Sequence, residues 1–295
     1  MSTNFTIIVH GGAGHYADDE QAAALAGCRR AALSGWDILC RGGAAIDAVE
    51  AAVILLEDNP VFNAGTGATF NALGEVELDA SIMDGAGLRA GAVAAVKRIR
   101  NPISLARKIM QDGRHVLLVG DGALRFAAEA GVRECPEETL IVERQRKHWQ
   151  EQHGTVGAVA LDRRGDIAAA TSTGGIFDKL PGRVGDSALI GCGTYADAIA
   201  GVSCTGNGEA IIKTVLAKTV VEFVHAGHSP SEAAQHAMAL LQEKTQSQGG
   251  LIIVNQQGAV GYAHATRHMP ICYISSPDSR RLPFDGFTSK IYLDI

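Results

Sequence analysis

His153-Gly154-Thr155-Val156-Gly157-Ala158-Val159-Ala160-Leu161-Asp162-Arg163-Arg164-Gly165-Asp166-Ile167-Ala168-Ala169-Ala170-Thr171-Ser172-Thr173-Gly174-Gly175 reads as two apolar runs joined by a polar loop that contains glycine. This is the pattern of a β-hairpin, with strands expected over 155–161 and 166–171. A hairpin pairs its two distal ends, so Thr173 is expected within hydrogen-bond reach of Thr155. Thr155 directly follows a glycine where the apolar run begins. One reading is a Gly-Thr pair opening a buried strand. The other is chemical. A break between Gly154 and Thr155 would leave one residue holding both a hydroxyl and a free α-amine. Such an amine titrates near ~7.7–8.0, so it accepts a proton at neutral pH far more readily than a lysine. A threonine hydroxyl activated by its own amine is an established nucleophile.

Upstream of the hairpin the pattern alternates between strands and helices. Residues 5–9 read as a strand, followed by helices over 20–41 and 45–58, where Ile46, Val49, Val53 and Leu56 recur at helical spacing. Strands are expected over 75–83 and 89–98, a helix over 102–110, a strand over 115–119 and a helix over 123–130. Residues 133–153 are polar and charge-dense and read as a surface linker, with a helix near 143–152. Downstream, helices are expected over 208–226 and 230–246. A second hairpin covers 249–254 and 259–265, and final strands cover 270–275 and 288–293. Strands in hairpins and helices in pairs point to antiparallel sheets with helices packed outside them.

Composition narrows the function classes. The net charge is −6 and no basic face or run stands out, which argues against nucleic acid. No segment offers about 18 consecutive apolar residues, so no membrane span is expected. The N-terminal residues lack a basic stretch followed by a long apolar one, so no secretory signal is expected and a cytoplasmic location is. Cys28, Cys40, Cys135, Cys192, Cys204 and Cys272 form no CxxC pair, and most have apolar neighbours; they read as reduced, buried thiols. Two glycine-rich segments, 9–14 and 118–125, could cradle a phosphate. The second has Arg125 where the last glycine of G-x-G-x-x-G belongs, so turn chemistry explains both equally well. His225, His228 and His236 match no zinc spacing and read as structural.

The segments after the hairpin carry recognisable chemistry. Lys179-Leu180-Pro181-Gly182-Arg183-Val184-Gly185-Asp186-Ser187 presents a cation three residues before an anion. A guanidinium forks a carboxylate and a carboxylate accepts from an ammonium, so the pair suits a zwitterion; an ordinary loop ion pair is the plainer reading. Ser203-Cys204-Thr205-Gly206-Asn207-Gly208-Glu209 reads as a small-residue turn entering a helix, whose hydroxyl and backbone N–H groups could hold an oxyanion.

Together with Val9-His10-Gly11-Gly12-Ala13-Gly14, Phe62-Asn63-Ala64-Gly65-Thr66-Gly67, the run Glu77–Gly85 and Ala90-Gly91-Ala92-Val93, these motifs resemble, in order and over essentially the whole chain, the isoaspartyl peptidase/L-asparaginase family. These are the plant-type asparaginases among the N-terminal-nucleophile hydrolases. The resemblance implies an α+β fold of four αββα layers. It implies a single domain over 1–295, made as a precursor that cuts itself before Thr155 into an α subunit (1–154, with a linker over about 133–154) and a β subunit (155–295). Family members assemble as dimers of such pairs. Carried over by motif, Thr155 is the nucleophile, Thr173 tunes it, Thr205 and Gly206 bind the oxyanion, and Asn63 supports the nucleophile. Arg183 takes the substrate α-carboxylate; Asp186 and the Gly208 carbonyl take its α-ammonium. No organic cofactor is implied. A structural sodium ion is, on the backbone carbonyls of Leu56, Glu57, Asn59, Phe62, Ala64 and Thr66. The implied substrates are L-asparagine and β-aspartyl dipeptides, with no nucleic-acid or membrane partner. The linker after Pro136 is shorter than in many relatives. Two alternatives stay open: a glycosylasparaginase-like amidase, against which Gly154 stands where aspartate would be expected, and a non-catalytic relative that never matures.

Overall fold

The computed structural model describes residues 4–143, 154–276 and 284–287. The elements run β1 (Thr6–His10), α1 (Asp18–Cys40), α2 (Ala45–Glu57), β2 (Leu78–Asp84), β3 (Arg89–Val96), α3 (Pro102–Asp112), β4 (Leu117–Val119) and α4 (Gly120–Glu129). They continue with β5 (Val156–Leu161), β6 (Ile167–Thr173), β7 (Thr194–Ala196), β8 (Ala200–Gly206), α5 (Gly208–Thr214), α6 (Leu216–His225) and α7 (Pro230–Thr245). The last strands are β9 (Gly249–Asn255), β10 (Val260–His264), β11 (Pro270–Ser275) and β12 (Phe284–Phe287).

Among the described residues the strands form two sheets. One has the order β12-β11-β1-β5-β6-β2-β3-β4 and the other β10-β9-β8-β7. The alternation of β1 shows how they are partnered, because successive side chains of a strand point to opposite faces. Ile7 and Val9 join a buried cluster with Cys28 and Leu39 of α1 and Val49 and Val53 of α2. Ile8 joins a second cluster with Ile252 and Val254 of β9, in the smaller sheet. A third cluster holds the other face of β9 (Leu251, Ile253) against Val220 and Val221 of α6 and Ala237 and Leu241 of α7. The protein is thus a mixed α+β structure of two sheets and flanking helices.

Local chemistry sets the helix boundaries. Ser229 Oγ accepts from the Glu232 amide at 3.3 Å while Glu232 returns a carboxylate to the Ser229 N–H at 2.8 Å, and Pro230 opens α7. This reciprocal cap satisfies two N–H groups that the first helical turn leaves unpaired. Asn207 Oδ1 accepts from Ala210 N at 2.9 Å and caps the start of α5 from one side only.

Several expectations need correction. The helix expected over 208–226 is two helices, because Val215 takes a left-handed conformation (φ 47°) between α5 and α6. Apolar spacing continues across such a break, so the pattern alone does not reveal it. Residues 203–206, read as a turn, are the end of strand β8, and the three-residue β7 paired with it was not anticipated. β4 runs parallel to β3, an exception to the antiparallel pattern. Cys40 is exposed and Cys135 half-buried, while the other four thiols are buried. The strand expected over 288–293 and most of the helix expected near 143–152 lie outside the described residues.

Candidate active site

The hairpin positions the centre of the site. β5 and β6 pair with Val156 opposite Ser172 and Gly157 opposite Thr171. One step further out, the Thr155 and Thr173 hydroxyls meet, with 3.2 Å between their Oγ1 atoms. Both residues are buried. Thr173 Oγ1 also accepts from the Gly175 amide at 3.0 Å. Asn63 fixes that strand end: its Nδ2 donates to Gly175 O at 2.7 Å, its carbonyl accepts from Gly174 N at 2.9 Å, and its Oδ1 accepts from Thr69 N at 2.8 Å. Asn63 therefore holds the backbone beside Thr173, and among the described residues its hydrogen bonds do not go to Thr155 itself.

The backbone at Gly154 and Thr155 is closely backed. Gly12 has φ +112°, and a methyl group placed on it would lie 2.6 Å from Gly154 Cα and 3.1 Å from Thr155 N. Only glycine fits both the conformation and the space. The neighbouring His10 is fully buried and contacts Ser203 Oγ through Nε2 at 2.9 Å. Burial pushes its imidazole down to about 3, against a hydrogen bond to the Thr155 backbone that raises it. At neutral pH this ring is uncharged and too weak a base to take a hydroxyl proton.

Arg183 and Asp186 reach the same place from the loop after β6. With Thr155, Thr173, Gly154, Gly206 and Gly208 they line a cavity of about 10 Å³. Gly208 lies between the two charges: a methyl there would sit 2.6 Å from Arg183 Nη2 and 2.9 Å from Asp186 Oδ1. Arg183 is held by Glu209 through Nε and Nη2, both at 2.9 Å. Asp186 Oδ2 is buried without a hydrogen-bond partner. Burial pushes the Asp186 carboxyl up to about 7, and the Arg183 guanidinium opposes that shift. Thr205 is fully buried and its Oγ1 accepts from Ala13 N at 3.0 Å; Gly206 rather than the Thr205 side chain borders the cavity.

Sequence reasoning missed what pins this loop. Asp79 Oδ2 accepts from Gly185 N at 2.8 Å and its Oδ1 from Ala95 N at 2.8 Å. The Glu77 carboxylate accepts from Gly182 N at 3.1 Å. Lys179 is buried and donates to the carbonyls of Glu77 (2.7 Å) and Gly174 (3.0 Å). Burial lowers the Lys179 ammonium and raises the Asp79 carboxyl, and each charge partly offsets the other's shift. Two acids in the apolar run Glu77-Leu78-Asp79-Ala80 were the available signal, since buried charges are normally paired or hydrogen-bonded.

Leu56, Glu57, Asn59, Phe62, Ala64 and Thr66 lie at the end of α2 and in the loop beyond it. Their carbonyls include three already accepting from amides: Leu56 from Asn59 (3.2 Å), Glu57 from Thr66 (2.8 Å) and Asn59 from Phe62 (3.1 Å). Among the described residues no cluster of three or more His, Cys, Asp or Glu could hold a metal ion. His228 and His236 pack edge to face with each other and with Phe223.

A protein-family model described as asparaginase matches residues 3–153 and 150–282. The chain is 48% identical over 271 residues to the isoaspartyl peptidase/L-asparaginase of Homo sapiens, covering 86% of this chain and 88% of that one. It is 47% identical over 266 residues to the protein of the same name from Xenopus laevis, covering 85% and 86%. A plant-type L-asparaginase of Pyrococcus abyssi is 45% identical over 296 residues, covering 91% and 95%.

Proposed function

Because the chain belongs to the asparaginase family, we propose that it is an isoaspartyl peptidase/L-asparaginase that hydrolyses β-aspartyl dipeptides and L-asparagine and matures by cutting itself before Thr155. The observation that carries this reading is the meeting of the Thr155–Thr173 hydroxyl pair with Arg183 and Asp186 in one small cavity. The site holds a nucleophile and two opposite charges; among the described residues Asp186 is assigned to the substrate ammonium, and neither His10 nor Lys179 can serve as the base. His10 is neutral, and Lys179 is committed to two carbonyls. A Thr155 α-amine freed by cleavage supplies the missing base.

The chemistry then runs in two halves. The Thr155 hydroxyl attacks the side-chain carbonyl of the aspartyl substrate and passes its proton to the α-amine. The oxyanion is held at Gly206, with Thr205 buried directly behind it; one such donor contributes about 3 kcal/mol to the barrier reduction. The ammonium returns the proton to the leaving nitrogen, and ammonia or an amino acid departs from a β-aspartyl-threonine ester. Water, deprotonated by the same amine, attacks the ester and releases aspartate. Arg183 receives the α-carboxylate, with Glu209 fixing the guanidinium fork; Asp186 and the Gly208 carbonyl receive the α-ammonium.

The three buried clusters support a helix-sheet-sheet-helix sandwich of four layers. The strand order supports one domain over 1–295 that stays whole as a 1–154/155–295 pair, and dimers of that pair follow the family pattern. The loop from Leu56 to Thr66 fits a sodium ion: its donors are main-chain oxygens, which hard cations prefer, and a carbonyl that already accepts one hydrogen bond keeps a second lone pair. The ion would stiffen the loop that carries Asn63.

A denaturing intact-mass spectrum after incubation, run beside an ammonia-release assay, tests the reading. Two fragments meeting at Gly154/Thr155, with Thr155→Ala remaining whole and inactive, are the expected result. A wild-type chain that turns over asparagine while still at 30.8 kDa would overturn the self-cleavage.

A further inference from the structure

A second cavity, of about 530 Å³, adjoins the small one and shares Ile176 and Gly206 with it. A departing ammonia needs no more room than a water molecule, roughly 30 Å³. The larger cavity therefore has space for a complete amino acid beside Gly206. Its wall comes from five separate segments: the loop after β1 with His15, the loop after β6 with Ile176, the start of α5 with Asn207, the loop after α7 with Gln248, and the turn after β10 with Arg267.

The charge of that wall is one-sided. Among the described residues lining it there is no Asp or Glu. Arg267 is exposed and forms no ion pair with any described residue. His15 stands nearby, stacked on His268 with ring centroids 5.7 Å apart. Burial lowers the His268 imidazole, and Arg267 and His15 add to that lowering; Asp18 opposes it but does not line the cavity. The field at this end is positive, and a guanidinium with a free fork is suited to a carboxylate.

We propose that this cavity receives the leaving residue of a β-aspartyl dipeptide and that Arg267 binds that residue's carboxylate. Arg267 is then a specificity residue that favours dipeptides over asparagine and disfavours leaving residues with a cationic side chain. The proposal rests on the reading of the Thr155 site as the aspartyl half.

Kinetics on β-aspartyl-leucine, β-aspartyl-leucinamide and L-asparagine separate the two levels. For the mature wild type, kcat/KM should be about tenfold higher on the free acid than on the amide, the factor expected of one exposed charge-assisted contact. Arg267→Gln should erase that preference and leave the amide and asparagine within twofold of wild type. Arg267→Lys should restore part of it. β-Aspartyl-lysine should be poorer than β-aspartyl-leucine in the wild type alone. An unchanged preference in Arg267→Gln, or an equal loss on all three substrates, overturns the role of Arg267. Failure of the mature wild type on all substrates would instead overturn the aspartyl reading beneath it.

Discussion

Asp186 offers the most demanding test of the site, because its carboxyl is held against its own ionisation. In an unfolded chain an aspartate titrates near ~3.9. In the folded protein burial lifts Asp186 to about 7, and Oδ2 has no partner. Three units of difference correspond to roughly 4 kcal/mol. The sign follows from which state binds the proton. Between about pH 4 and 7 the folded chain is protonated here and the unfolded chain is not, so stability falls as pH rises through that window. Above pH 7 the whole cost is present; below pH 4 it vanishes. Asp186→Asn is nearly isosteric and removes the charge. The variant should therefore be more stable than wild type at pH 8, by up to about 4 kcal/mol, and equal to it near pH 4. It should also lose the acceptor for the substrate ammonium. In the role proposed for Asp186 only the ionised form binds that group, so kcat/KM should drop about tenfold per unit below pH 7. Thermal unfolding at several pH values, with and without L-aspartate, reads both effects. Parallel stability curves for wild type and variant, or equal stabilisation of both by aspartate, would refute the reasoning.

Two further substitutions probe the backbone and the loop. Gly12→Ala places a methyl 2.6 Å from Gly154 Cα in a backbone conformation that alanine resists; cleavage at Gly154/Thr155 should slow at least tenfold by time-resolved mass analysis, and normal processing would refute the packing argument. Asp79→Asn points an amide N–H₂ at an N–H donor on one side, either Gly185 or Ala95; stability should fall by about 1–3 kcal/mol and KM should rise more than kcat falls, whereas an unchanged KM would show that the loop does not depend on Asp79.

The part of the site built by near neighbours was legible in the sequence. Thr155 and Thr173 lie on one hairpin, and strand alternation with a short loop is enough to place them together. Arg183 and Asp186 are three residues apart and announce themselves as a pair of charges. What brings them to Thr155 was not legible, because Asp79 and Glu77 act from a strand about a hundred residues away through backbone amides that any sequence possesses. The larger cavity was hidden for the same reason: His15, Gln248 and Arg267 converge only through the stacking of two sheets. The break at Val215 was invisible for a different reason, since Ile211, Leu216 and Val220 all remain buried on either side of it.

The strand order of the large sheet has a consequence for the protein's lifetime. β1 is inserted between β11 and β5, and β2 borders β6, so a cut at 154/155 leaves two pieces whose strands interleave at three seams. Neither piece keeps the whole large sheet: β1 alone would expose both of its edges. Under the proposed self-cleavage the chain must fold before it is cut, and the cut removes the covalent link that makes this folding unimolecular. Unfolding of a chain cut in this way becomes a one-way event. The persistence of the mature enzyme is then governed by the height of its unfolding barrier rather than by an equilibrium with the denatured chain.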